Sequence, residues 1–100
     1  MHVIAGFTIL PLGAGISLSP YVAEVERVLA GTGLTHELHA NGTNIEGEWD
    51  AVMTAIRACH ETLHGMGVPR VHTVIQLGTR TDRDQRMADK VASVRAKLRT

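Results

Sequence analysis

Residues 36–47, His36-Glu37-Leu38-His39-Ala40-Asn41-Gly42-Thr43-Asn44-Ile45-Glu46-Gly47, admit four readings: a metal-binding run, a phosphate-gripping loop, a helix cap or a strand hairpin. Asn41-Gly42 between two short alternating runs is the strongest local signal for a hairpin, because a two-residue type I′ turn needs positive φ at both central positions. In that register Ala40 faces Thr43, His39 faces Asn44, Leu38 faces Ile45 and Glu37 faces Glu46. Leu38 and Ile45 then point together toward a core, while Glu37, His39, Asn44 and Glu46 gather on the opposite side of the sheet. The competing reading takes Thr43-x-x-Glu46 as a capping box for the next helix. The hairpin is preferred because it also accounts for Leu38 and Ile45.

The segments on either side complete the pattern. Upstream, Val3, Ala5, Phe7 and Ile9 alternate with Ile4, Gly6, Thr8 and Leu10, a strand that stops at Pro11. The loop LGAGISL follows, and Ser19-Pro20 reads as a helix N-cap with proline at the first helical position. Val22, Val25, Val28 and Leu29 form the buried stripe of that helix, which Gly31 and Gly33 end.

Downstream, Trp49, Val52, Met53, Ile56, Cys59 or His60, and Leu63 mark an amphipathic helix ending at Gly65 and Gly67. Val71, Thr73, Ile75 and Leu77 alternate with His72, Val74 and Gln76 as a further strand. Met87, Val91, Val94 and Leu98 space out a last helix, with Asp82 and Asp84 placed to suit the positive end of its dipole.

The order is βαββαβ plus a C-terminal helix. Two helices that must each cover a sheet lie on one face of four antiparallel strands, so the expected fold is α+β, a ferredoxin-like βαββαβ sandwich with an added C-terminal helix, in one domain over residues 1–100. The other face carries Ile4, Leu10 and Val74 among polar residues, and an apolar sheet face of that size calls for a cover. A second subunit is the expected cover.

Composition narrows the partners. Lys+Arg and Asp+Glu number 10 each, so no excess charge draws the chain to a polyanion, and aromatic residues at 3% leave hardly any base-stacking surface. Neither nucleic acid nor a membrane is an expected partner. The apolar start, MHVIAGFTILPLGAG, lacks a basic leading region and breaks at Pro11 well short of a span. The single cysteine excludes an internal disulfide, and a cytoplasmic setting is expected.

His60-Glu61-Thr62-Leu63-His64 is a literal H-E-x-x-H, the arrangement that in zinc peptidases sets two ligands one turn apart with a glutamate base between them. A zinc-dependent hydrolase using His60, Glu61 and His64 is therefore one alternative. Helical angles weigh against it: His60 falls near the middle of the apolar stripe, Glu61 points outward, and Gly65 ends the helix at once, with His72 the one further ligand in view. No metal site is assigned.

Other candidates are weaker. His36 and His39 stand at an odd spacing that sends them to opposite faces of a strand. Gly13-x-Gly15 before a helix resembles a phosphate grip without the lysine of a P-loop or the third glycine of a dinucleotide fingerprint. Ser17 and Ser19 can offer hydroxyls there. Cys59 reads as a small apolar filler. What remains is the open-face set Glu37, His39, Asn44 and Glu46, with Thr8 and Gln76 on neighbouring strands. Two glutamates facing each other repel unless a cation or a shared proton lies between them, which points to a positively charged or amine-bearing ligand. A polar patch in solvent or between subunits is the alternative, and with it a structural or regulatory oligomer that takes no small ligand.

The stretches PLGAGISLSPYV, HELHANGTNIEGEWDAVMTAI and RVHTVIQLGTRTD resemble the small thiamine-binding protein family, once catalogued as an uncharacterised protein family. The likeness covers nearly the whole chain. It implies a ferredoxin-like fold, a homotetramer built from sheet-packed dimers, and binding of thiamine or a related hydroxymethylpyrimidine compound as carrier or sensor, without catalysis and with no cofactor beyond that ligand. Carried onto the matching motifs, the ligand-binding residues are Ser17, His39, Thr43, Asn44 and Glu46. This chain departs from the family where relatives often show K-I-D in the last strand: Gln76-Leu77-Gly78 lacks both charges.

Overall fold

Alternation of side chains decides the sheet. In the computed structural model, which describes residues 1–99, β1 (His2–Leu12) turns Val3, Ala5, Phe7 and Ile9 to one side, where all four are buried, and Ile4, Thr8 and Leu10 to the other. The remaining elements follow as α1 (Ser19–Ala30), β2 (Thr35–His39), β3 (Gly42–Glu48), α2 (Trp49–Gly65), β4 (Arg70–Thr79) and α3 (Met87–Leu98). The strands lie in the order β2-β3-β1-β4, every neighbouring pair antiparallel. This is the expected α+β ferredoxin-like arrangement with the additional C-terminal helix.

The core sits between the sheet and one layer of helices. Phe7, Leu29, Ile45, Leu63, Val3, Val25, Val52 and Cys59 are the largest fully buried side chains. Val25 and Leu29 come from α1, and Val52, Ala55, Ile56, Cys59 and Leu63 from α2, at the i, i+3, i+4, i+7 spacing that makes one apolar stripe per helix. Each fully buried large apolar side chain contributes about 2 kcal/mol by removal from water.

The hairpin forms with a register different from the expected one. His39 pairs with Gly42, Leu38 with Thr43, Glu37 with Asn44 and Thr35 with Glu46, so Ala40-Asn41 and not Asn41-Gly42 make the turn. Among the described residues none other than glycine has positive φ, which excludes the type I′ geometry for this turn. Gly42 is required for another reason: it has φ +156°, and a Cβ there would run into the Phe7 carbonyl and lie 2.9 Å from the Thr8 hydroxyl. The turn rests on β1, where the Thr8 hydroxyl donates to the Asn41 carbonyl across 2.6 Å. A slip of two residues preserves the faces, because side chains alternate with period two. It does separate the two glutamates, so the charge clash argued from their facing each other does not arise.

The helix ends also differ from expectation. Leu18 occupies the N-cap of α1 with no side-chain hydrogen bond, so Ser19 is a first-turn residue and not the cap. At α3 the acid that meets the helix start is Asp89, whose carboxylate accepts the Arg86 N–H at 3.0 Å, while Asp82 is held by Arg80 at 2.6 Å.

α3 buries no residue, and Val91, Val94 and Leu98 are all exposed. The radius of gyration, 15.0 Å, exceeds the roughly 13 Å of a rounded domain of this length. The first residue of α3 is nevertheless anchored. The Met87 N–H donates to Glu46 Oε2 at 2.8 Å, and His2 Nε2 lies 3.4 Å from the same oxygen. Glu46, on the side of the sheet opposite α1 and α2, is thereby only 4% exposed.

Candidate functional site

Two hollows flank the β2–β3 turn, one on each side of the sheet, and His39 lines both. The larger is a cleft of about 970 Å³ between α1, the β1–α1 loop and the hairpin. Its walls are apolar: Phe7 and Ile9 from β1, Leu38 from β2, and Val22 and Val25 from α1, with Ile16 and Leu18 from the loop. Such a volume lies in the range of small-molecule sites, and so does the mixture of apolar walls with a few polar groups.

Those polar groups are Thr8, Ser19, Glu26, His39, Asn41 and Thr43. Glu26 stands on the same stripe of α1 as Val22, Val25 and Leu29, so helical periodicity alone turns its carboxylate under the sheet's helix-covered face. There the Thr43 hydroxyl donates to Glu26 Oε2 at 3.1 Å. The charge is felt deeper in the core: the Cys59 thiol is pushed up to about 11, first by burial and then by the nearby Glu26. His39 Nδ1 accepts the Asn41 N–H at 3.2 Å, an arrangement that leaves the N–H on Nε2 and fixes the ring at the end of the hairpin. The loop that forms the mouth owes its shape to Gly13 at φ +78° and Gly15 at φ +95°, and it holds Ile16 fully in solvent.

The residues assigned from sequence divide between the two sides. Thr43 is buried in the cleft, and His39 lines it. Asn44 lies on the other face, where with Thr8, His39 and Gln76 it borders a smaller hollow of about 380 Å³. Glu46 shares that face but is spent on the start of α3. Glu37 pairs with Asn44 at the sheet edge and is exposed, and Ser17 is exposed in the loop beyond the cleft lining, where Ser19 takes the expected hydroxyl position. Glu26 was not among the assigned residues. Its signal was present in the sequence: an acid at i+4 from Val22 and i−3 from Leu29, inside an otherwise apolar stripe.

The H-E-x-x-H residues are engaged separately. His60 Nε2 is 2.5 Å from the Thr73 hydroxyl, His64 Nδ1 donates to the Val68 carbonyl at 2.7 Å, and Glu61 pairs with Arg57 at 3.1 Å. Burial, and then the neighbouring His64, lower the His60 pKa below the ordinary imidazole value. Among the described residues, no three His, Cys, Asp or Glu side chains converge in a way that could hold a metal ion. Among the same residues, no helix is long and apolar enough to cross a membrane.

Comparison with known proteins places this geometry in context. The chain is 52% identical to the UPF0045 protein sll0230 of Synechocystis over 94% of its own length and 78% of the relative's. It is 41% identical to the UPF0045 protein ECM15 of Eremothecium gossypii, covering 98% of this chain and 94% of that one. The solved structure of the hypothetical protein MJ1052 from Methanocaldococcus jannaschii superposes with a TM-score of 0.86 at 31% identity, over 93% of this chain and 95% of that one. Residues 5–95 match the family described as thiamine-binding protein, and the chain belongs to that family.

Proposed function

We propose that the chain is a non-enzymatic binder of thiamine or a related aminopyrimidine compound, acting in the cytoplasm as carrier or sensor, and that the ligand occupies the cleft between α1 and the hairpin. The observation that carries this reading is the Glu26 carboxylate set into an apolar wall beside the Thr43 hydroxyl. A half-buried carboxylate among apolar side chains favours a cation with apolar edges, because opposite charges attract more strongly where the dielectric is lowered. Thiamine matches on both counts. Its thiazolium is a permanent cation with apolar edges, and its aminopyrimidine donates and accepts hydrogen bonds within reach of groups such as Ser19, His39 and Asn41. The family name supports the same ligand.

The bare side of the sheet supports a further part of the reading, a homo-oligomer built from sheet-packed dimers. Val74 is 51% exposed there, Ile4 and Leu10 are half-buried, and α3 offers Val91, Val94 and Leu98 to a neighbour. A second copy presenting the same surfaces would cover both.

Isothermal titration of purified protein with thiamine, run beside Glu26→Gln, tests the site. Saturable heat in the parent protein, and affinity reduced about tenfold or more in the variant, is the expected result. Absence of heat and of any thermal shift at millimolar thiamine would remove the reading. Native mass spectrometry of the same sample reports the assembly.

A further inference from the structure

We infer that the cleft selects the unphosphorylated cation and discriminates against phosphate esters of the same molecule; the inference rests on the cleft being the binding site proposed above. Charge at the cleft is one-sided. Its lining residues include one carboxylate, Glu26, and neither a lysine nor an arginine. The nearest basic residue along α1, Arg27, is paired with Glu24 on the outer side of the helix. A phosphate that entered with the ligand would bring about two negative charges into the field of Glu26 with no guanidinium or ammonium to meet them.

Backbone donors do not repair this. A helix start beside a glycine loop is the ordinary place for a phosphate, because its first N–H groups lack partners. At α1 three of the first four positions, after Ser19, offer no free donor. Pro20 has no N–H, and the Tyr21 and Val22 N–H groups both donate to the Leu18 carbonyl at 3.0 Å. Gly13 and Gly15 shape the loop, but its cleft-lining side chains are Ile16 and Leu18, both apolar. The resemblance of Gly13-x-Gly15 to a phosphate grip therefore ends at the glycines.

The test compares thiamine, thiamine monophosphate and thiamine diphosphate by calorimetry on the full chain near pH 8, where the esters carry their full charge, at low and high salt. Thiamine is expected to bind about fivefold or more tighter than the monophosphate, with the diphosphate weaker again and the gap narrowing in high salt and in Glu26→Gln. Equal or tighter binding of the monophosphate, with thiamine also bound, would overturn the selectivity and leave the site standing. A gap unchanged in Glu26→Gln would overturn the assignment of discrimination to this carboxylate. If thiamine itself gives no binding, the site reading falls and the selectivity falls with it.

Discussion

The Thr43 hydroxyl donates to the Glu26 carboxylate across 3.1 Å, tying the turn end of the hairpin to α1 in the cleft. Thr43→Val keeps the shape and removes the donor. The carboxylate then has one partner fewer in apolar surroundings, and we expect a loss of about 1 kcal/mol in urea denaturation together with a severalfold change in thiamine affinity. Unchanged affinity despite the loss of stability would separate the pair from ligand binding.

Gly42 is set by what it touches on β1. Its φ of +156° and the carbonyl of Phe7 behind it leave no room for a side chain, so Gly42→Ala must move the turn off β1 and strain the Thr8 to Asn41 hydrogen bond. A cost of about 2–3 kcal/mol is expected by chemical denaturation. Gly65, with nothing within 4 Å of a built Cβ at the end of α2, is the control; Gly65→Ala should be neutral or slightly stabilising. Equal costs at the two sites would refute the packing argument.

These two positions show how far the sequence could be read. The element order followed from periods of two and of 3.6, which depend on local spacing alone, so β1, α2 and β4 were legible without tertiary knowledge. Register was not. The Asn41-Gly42 signal is local, whereas the glycine was needed for a strand that lies more than thirty residues earlier in the chain, and the turn moved accordingly. Face assignment survived because a two-residue slip returns each side chain to its own side. Glu26 is legible as an acid on an apolar stripe, but its partner Thr43 lies on a strand whose approach to α1 no local pattern specifies. Glu46 could not have been interpreted from sequence, since its partner Met87 belongs to a helix whose position on the sheet no local pattern specifies.

Glu46 gives a third prediction. It is 4% exposed and receives the first N–H of α3, so Glu46→Ala leaves that donor without its acceptor and opens a gap beside His2. We expect a loss of about 2 kcal/mol, with faster hydrogen exchange confined to the start of α3. Exchange that rises uniformly over the sandwich would mean that Glu46 supports the whole fold rather than anchoring the helix.

Cys59 supplies a prediction in pH. The thiol is fully buried between sheet and helix, and burial together with the Glu26 charge raises its pKa from 9.0 to about 11. The neutral, protonated thiol is thus the form the fold favours. Below pH about 9 the thiol is protonated in both folded and unfolded chains, and the stabilisation is fully present. As pH rises further the unfolded chain ionises first and stability falls, the loss being complete once pH passes about 11. The amount at stake is on the order of 2 kcal/mol. Other groups titrate in the same range, so denaturation midpoints should be compared with those of Cys59→Ala, which is weakened by its small cavity but lacks this slope. The difference between the two proteins should be constant up to pH about 9 and shrink above it. A difference that stays constant to pH 11 would show that the thiol ionises as readily in the fold as outside it, and with that the Glu26 carboxylate could no longer be held to project its charge into the core.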